Sequence, residues 1–271
     1  MNITRIVTCY RQWDLLGSWL DTPALHGAGI SWLVVNDAPQ DSPPPALVDI
    51  MNRRGVILIT PLFNLGRSRA RNLGVERAGT DYIEHIDGDD VPLPLPLDLN
   101  AISDARSLHV FPVPEFFSDE ELKSIQTVSR ALPIRAAWSD LLPRLHPTDV
   151  RPASLIWPKK LFLSLGGYDA RYESVEDVDL LLRFHDTEFE IVRHEYPKQA
   201  YRISKPKHDH GPLHLEGALK MWERLLKHHH VASANIRQWQ AKDTLRAWRV
   251  ISKKLLQRFP ALISFIGRRW R

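Results

Sequence analysis

Three aspartates crowd around one glycine where the segment YIEHIDGDD ends: Asp87, Asp89 and Asp90 surround Gly88. Like charges this close raise one another's cost of ionisation, so they either stand in bulk water or receive something positive. Alternation along DYIEHID sends Ile83, His85 and Asp87 to one face of a strand. Gly88 then permits a tight turn, so that Asp87 and Asp89 both aim past the strand's end. Hard divalent cations such as Mg²⁺ or Mn²⁺ take one or two carboxylates and leave their other positions to phosphate oxygens. Alone, D-x-D reads as a solvated acidic turn; here it has company.

Upstream, NLGRSRARNLG places Arg67 and Arg71 four residues apart, on one face of a helix. Two such arginines beside a cation site suit a diphosphate; in isolation they read as surface charge. Ala70, Gly74 and Ala78 form a stripe of small residues that lets the same helix approach a sheet closely. Downstream, SVEDVDLLLR sets Glu176 and Asp177 at the start of a helix, where the dipole keeps carboxylates ionised. That is ordinary charge complementation, yet a carboxylate held ionised next to a metal and a diphosphate can also serve as a general base.

The elements that must position these groups are legible over the first hundred residues. RIVTCY, ISWLVV, GVILIT and DYIEHID read as strands, ISWLVV as a near-continuous apolar run suited to a parallel strand buried on both faces. Between them, Trp13, Leu16 and Leu20 recur at helical spacing. PPPALVDIMNRRG predicts a second helix with Gly55 as its cap, and NLGRSRARNLGVERAG a third with Asn64 as N-cap. Strands alternating with helices imply βαβ units and a parallel sheet, whose ligands gather at the carboxyl ends of the strands. Asp37 and the Asp87–Asp90 cluster both lie at such ends.

The middle is less regular. VPLPLPLDL is extended, and LHVFPVPEFF predicts an edge strand because Pro112 and Pro114 interrupt it. ELKSIQTVSRAL is weakly helical. PASLIWPKKLFLSLGGYDARYESVEDVDLLLRF predicts a short helix stopped by Gly166-Gly167, a loop, and a helix opening near Glu176; FEIVRHEY and QAYRIS read as strands. From about Gly211 onward helix predominates, and there is no internal repeat.

With 271 residues, 44% of them hydrophobic and 25% charged, the chain can bury a full core. The single cysteine, Cys9, excludes an internal disulfide and fits a reducing compartment. No secretory signal opens the sequence, and no run approaches the roughly 18 apolar residues of a membrane span. The expected location is the cytoplasm. The net charge of +4 divides unevenly: residues 236–271 hold ten Lys/Arg and one acid, or +9, which leaves 26 basic against 31 acidic residues, or −5, elsewhere. The high pI therefore belongs to the tail.

Taken in this order, IVTCYRQ, VVNDAP, N-L-G-R-S-R-A-R-N-L-G ahead of Y-I-E-H-I-D-G-D-D, and G-G-Y-D-A-R-Y-E-S-V-E-D-V-D-L-L-L-R resemble the pattern of glycosyltransferase family 2 over about residues 3–205. The resemblance implies the GT-A fold: a Rossmann-like, mixed but mainly parallel α/β sheet flanked by helices. It also implies a metal-dependent, inverting transfer of sugar from a nucleotide-diphosphate donor, with a UDP-sugar expected, to a glycan or lipid-linked acceptor. By the same resemblance Asp37 contacts the base or ribose, Arg71 with Arg67 lies near the nucleotide, Asp87 faces the ribose and Asp89 binds Mn²⁺ or Mg²⁺. Asp177 matches the catalytic base and Glu176 stands beside it. Asn36 replaces the family's usual acid and Ala38-Pro39 its Gly-Ser. The family's Y-R-x-H becomes Y-R-I-S-K-P-K-H-D-H, which leaves His208, His210 or neither as a further metal or phosphate contact. The expected domains are 1–210, split into a nucleotide-binding half (1–100) and an acceptor-side half (101–210), and a helical basic extension over 211–271.

A non-catalytic nucleotide-sugar or glycan binder of the same fold is the alternative, against which the retained D-G-D-D and E-D argue. A phosphohydrolase with an aspartyl nucleophile would carry D-x-D on its first strand, not its fourth. In the tail, Leu245, Trp248, Ile251, Leu255 and Phe259 form an apolar stripe interleaved with Arg246, Arg249, Lys253, Lys254 and Arg258. Such a helix either lies on an anionic membrane or docks on the acidic body or another subunit. No nucleic-acid motif accompanies it.

Overall fold

Four apolar runs of the first half pair as parallel strands: β1 (Ile3–Cys9), β2 (Ile30–Asn36), β3 (Ile57–Ile59) and β4 (Tyr82–Asp87), in the order β3-β2-β1-β4. Three helices connect them: α1 (Trp13–Leu20), α2 (Pro45–Arg54) and α3 (Arg67–Arg77). These belong to the computed structural model of the chain, which describes residues 2–95, 107–112, 114–116, 118, 120–122, 134–136, 155–172, 176–185, 187, 189–194 and 196–202, with the single positions Lys227 and Arg237. The chain divides into two compact units, Met1–Lys205 and Pro206–Arg271. His208, His210 and the expected basic helices of 211–271 lie outside the described residues, Lys227 and Arg237 excepted.

The sheet continues past β4 through β9 (Leu155–Pro158), β6 (Ser107–Val110), β10 (Glu190–Arg193) and β8 (Ile134–Ala136), to eight strands. β9 runs antiparallel to both β4 and β6, β10 parallel to β6, and β8 antiparallel to β10. A second sheet of three short strands, β5 (Val91–Pro92), β11 (Gln199–Arg202) and β7 (Glu115–Phe116), has β11 in the middle. Two more helices, α4 (Lys159–Ser164) and α5 (Glu176–His185), complete the described part. The expected mixed, mainly parallel sheet flanked by helices is present.

Burial follows the predicted pattern. Val7, Val34, Leu16, Trp19, Trp32, Leu47 and Met51 belong to one apolar core, in which the Trp19 and Trp32 rings lie 5.3 Å apart. Gly55 closes α2 in the left-handed conformation, as expected of a helix cap. A Cβ at Gly74 would overlap the Ile6 side chain, so the small-residue stripe does let α3 sit tightly on β1.

Three expectations need correction. Asn64 is not the N-cap of α3; the helix starts after Gly66, at φ 78°, and the Asn64 amide donates instead to the Asp37 carbonyl at 2.5 Å. LHVFPVPEFF holds two strands rather than one: β6 ends at Val110 before either proline and is interior, between β9 and β10, whereas β7 follows the prolines and is an edge strand of the small sheet, as expected. Ahead of the expected short helix before Gly166-Gly167, where no strand was expected, LIWP forms β9: it pairs on both edges, and Pro158 falls at its last position, where it serves as the N-cap of α4.

Beneath the parallel half lies a fully buried ionic cluster. Arg5 on β1 donates from Nε and Nη2 to the two oxygens of Glu84 on β4, at 2.9 and 3.1 Å, and Lys198 donates to Oε1 at 2.8 Å. Arg5 also reaches the carbonyls of Leu93 and Lys198, and its guanidinium lies 4.9 Å over the Trp32 ring. Burial alone would raise the Glu84 pKa; the two cations outweigh it and hold it below the ordinary carboxylate range. Burial pushes Lys198 down to about 8 despite Glu84. Replacing Glu84 with Gln removes the carboxylate that both buried cations share, and the expected loss is about 3–5 kcal/mol of unfolding free energy in a denaturant titration.

Two buried histidines set an acid limit. Burial lowers His194 to about 4 and His85 well below 6.5. Both are neutral in the fold, whereas in the unfolded chain each takes up a proton below its ordinary 6.5. Their contribution is therefore intact above pH 6.5 and is lost as the pH falls toward 4. Unfolding free energy should fall between pH 6.5 and 5, by up to about 1.4 kcal/mol per pH unit for each group, and flat stability over that range would contradict their burial as neutral rings.

Candidate active site

The order β3-β2-β1-β4 reverses direction about β1, and in such sheets ligands gather outside the carboxyl ends of the strands at this switch point. Register places Thr8 beside Asp87 and Cys9 beside Asn36. Gly88 donates its N–H to the Thr8 carbonyl at 3.1 Å, and a Cβ there would come within 2.6 Å of Gln12 Oε1. Gln12 could swing aside, but the Thr8 carbonyl oxygen would then stand 3.1 Å from the added carbon, so glycine suits the turn's close approach to β1.

The three aspartates separate by role. Asp90 is buried, accepting from Gln199 Nε2 at 3.1 Å and from the Arg202 N–H at 3.3 Å, so it ties the turn to β11. Asp89 is half-buried. Asp87, with a side chain 33% exposed, accepts from Arg71 Nη2 at 2.5 Å. Burial would raise its pKa, but the Arg71 guanidinium holds it below the usual range.

Arg71 is itself buried, and its other terminal nitrogen donates to Glu176 Oε1 at 2.6 Å. One guanidinium thus joins the aspartate turn after β4 to the acid pair that opens α5. Burial works against its charge, and Asp87 with Glu176 outweighs that cost. Glu176 is buried, while Asp177 beside it is half-exposed. Arg67 is exposed, 3.9 Å from Glu176 Oε1. Reading both arginines as surface charge holds for Arg67 and fails for Arg71.

A second set of contacts fixes this bridge, and sequence reasoning missed its members. Asn72, next to Arg71, donates to the Tyr168 carbonyl at 2.8 Å and accepts from the Tyr168 N–H at 2.9 Å. Gly167 makes room, since a Cβ there would stand 2.7 Å from Asn72 Oδ1. The Tyr168 ring then lies 5.5 Å from the Arg71 guanidinium carbon and 5.2 Å from the His85 ring. From α5, Arg183 donates to the Leu165 and Gly167 carbonyls and to Asp179 Oδ2. The helix carrying Glu176 and Asp177 is locked to the same turn that holds Arg71. The signals were the Asn in R-N-L-G and the Arg closing E-D-V-D-L-L-L-R, both inside quoted motifs.

At the end of β2, Asp37 is buried, and burial raises its pKa. Its Oδ1 accepts from the Leu65 N–H at 2.7 Å, which anchors the loop leading into α3. Asn36 folds its own loop, accepting from the Ala38 N–H and donating to the Asp41 carbonyl, both at 3.0 Å.

Residues 5–139 match the model of glycosyl transferase family 2. This part of the chain is a family 2 glycosyltransferase domain. No curated protein sequence matches the chain. Among solved structures, S. aureus TarS residues 1–349 in complex with UDP-GlcNAc superposes with a TM-score of 0.61 at 15% identity, over 90% of this chain and 72% of that one. The corresponding complex with UDP gives 0.59 at 15% identity, over 92% and 72%. Against the longer TarS structure the values are 0.59 and 14%, and this chain spans only 43% of its length. At such identity the likeness speaks for the fold: the glycosyltransferase domain has the GT-A architecture that its motifs implied.

Gly167 has φ 66° and no space for a side chain. Gly167→Ala is expected to cost about 1–3 kcal/mol, measured by denaturant unfolding. A neutral result would show that the turn can release Asn72 without penalty.

Proposed function

We propose that the protein is a metal-dependent, inverting glycosyltransferase that moves a sugar from a nucleotide-diphosphate donor to an acceptor hydroxyl. The observation that carries this reading is the Arg71 bridge, which brings the carboxylates of D-G-D and of E-D to one guanidinium at the switch point of the sheet. The UDP and UDP-GlcNAc complexes of TarS favour a UDP-sugar as donor. A glycan or lipid-linked hydroxyl, met in the cytoplasm, is the acceptor class we infer.

The residues at the turn fit a hard cation. Asp87 and Asp89 offer oxygen donors on either side of a glycine, and one guanidinium facing Asp87 and Glu176 leaves the local charge negative. Among the described residues no group of three His, Cys, Asp or Glu forms a complete cage. Mn²⁺ or Mg²⁺ would take their remaining ligands from donor phosphates. Bound there, chiefly through Asp89, the ion supplies Lewis-acid stabilisation of the leaving diphosphate. His208 or His210 remains a candidate for a further contact.

The chain's own groups do the rest. Asp37 faces the base or ribose, Asp87 the ribose, and exposed Arg67 the phosphates. Arg71 acts through the two carboxylates it orients. Asp177 lies in the first turn of α5, at the positive end of its dipole. It takes the acceptor's proton as that oxygen attacks the anomeric carbon and the nucleoside diphosphate leaves from the opposite face. Glu176, held by Arg71, fixes the first turn of α5 and thereby the aim of Asp177.

Asp177→Asn should lower transfer by about 10²–10⁴-fold while the thermal shift given by UDP with Mn²⁺ stays at the wild-type value. Full turnover in that variant would remove Asp177 from the role. Screening UDP, GDP, CDP and dTDP with and without Mn²⁺ identifies the base, since binding to the native state raises its stability. A protein that binds UDP but never hydrolyses or transfers a UDP-sugar is the non-catalytic binder.

A further inference from the structure

Among the described residues, the loop between β3 and α3 exposes two adjacent large apolar side chains: Leu62 is 93% and Phe63 63% exposed. Leaving both in water forgoes the burial that such side chains usually find. The loop is not a loose one. Two residues on, the Asn64 amide holds the Asp37 carbonyl, and the Leu65 N–H holds the Asp37 carboxylate. Leu62 and Phe63 are therefore presented from a fixed base at the carboxyl edge of the sheet, the edge that carries the candidate active site. The first turn of α3 follows at once, with Arg67 and Arg69 both exposed. No acid lies between Thr60 and Glu76, a span that contains three arginines, of which Arg71 alone is buried.

An apolar pair flanked by exposed guanidinium groups has the chemistry of an interfacial anchor: the apolar groups enter the acyl boundary and the cations meet anionic head groups. We propose that the Leu62–Phe63 loop is a docking surface for an anionic lipid bilayer, and that it sets the mouth of the site against the membrane. Neither the basic tail nor the transfer chemistry underlies this proposal.

The test uses the full chain. Vesicles of phosphatidylcholine alone, or of phosphatidylcholine with phosphatidylglycerol, are floated at low salt with wild-type protein and with Leu62→Ser/Phe63→Ser. The wild type should float with the anionic vesicles, and the double variant should lose about tenfold or more of its partition, as expected for withdrawing two large apolar side chains from the interface. Its thermal midpoint, with and without UDP and Mn²⁺, should stay at the wild-type value, so failure of the sugar-transfer reading and failure of this one are told apart. Because Cys9 is buried, Phe63→Cys also allows a polarity-sensitive fluorophore to be attached there. Its emission should shift to the blue when anionic vesicles are added. Equal flotation of wild type and double variant, an unshifted probe, or a blue shift that grows with protein concentration without vesicles would each overturn the proposal, the last in favour of self-association.

Discussion

A single buried cation shared between carboxylates from distant segments is the constraint on which the rest of this structure depends. Asp87 and Glu176 are 89 positions apart in the chain, yet both accept from the Arg71 guanidinium at 2.5 and 2.6 Å. Its Nε already lacks a hydrogen-bond partner, so removing either acid would leave a buried guanidinium with half of its charge pairing gone, and an underpaired buried charge is costly. Both motifs must therefore arrive correctly for either to be stable. Gly74 seats α3 on β1, Asn72 pins the Gly167–Tyr168 turn, and Arg183 pins α5 to the same turn. Three elements meet at one side chain, and any cation or diphosphate reaching the site meets carboxylates whose positions are already fixed.

Strand β4 carries charge on both of its faces. His85 and Asp87 look toward Arg71 and Tyr168, while Glu84 points the other way into Arg5 and Lys198. The Lys198 segment continues into β11, where Gln199 and the Arg202 N–H hold Asp90. The acidic turn is thus braced from below by an ionic cluster and from the side by a strand. This eases the crowding of three aspartates: Asp87 is paired with an arginine, and Asp90 accepts hydrogen bonds from β11.

The parallel half was legible because each of its elements announces itself by period and by punctuation. Continuous apolar runs gave β1 and β2, Gly55 ended α2, and the small residues of α3 forecast its close approach to the sheet. The antiparallel half was harder. LIWPKKLFL carries apolar residues that satisfy a strand and a helix equally, and only pairing with β4 and β6 decides that the first four form β9. Pro112 and Pro114 suggested an edge, since proline cannot donate to a ladder; they lie past the end of interior β6 and just before β7, which is an edge strand. At the site, Glu176 and Asp87 were visible as motif residues. Their shared partner was visible only as an arginine, because no local pattern distinguishes a guanidinium in water from one buried between two acids. Asn72 and Gly167 were hidden for a similar reason: their roles are contacts across 95 residues of sequence.

The departure at Asn36 follows the same logic of contact over identity. Its amide donates to the Asp41 carbonyl and its oxygen accepts from the Ala38 N–H. An acid at this position could accept from Ala38 but could not donate to Asp41, so the asparagine closes a turn that a carboxylate would leave half-bonded. Ala38 is buried beneath that turn. Asp37, held between Asn36 and Ala38, keeps its N–H on the Cys9 carbonyl and its carboxylate on Leu65. The altered N-D-A-P therefore presents an acid at the carboxyl end of β2 through a loop architecture of its own, and the substitution at 36 reshapes the support of Asp37 rather than removing the residue it supports.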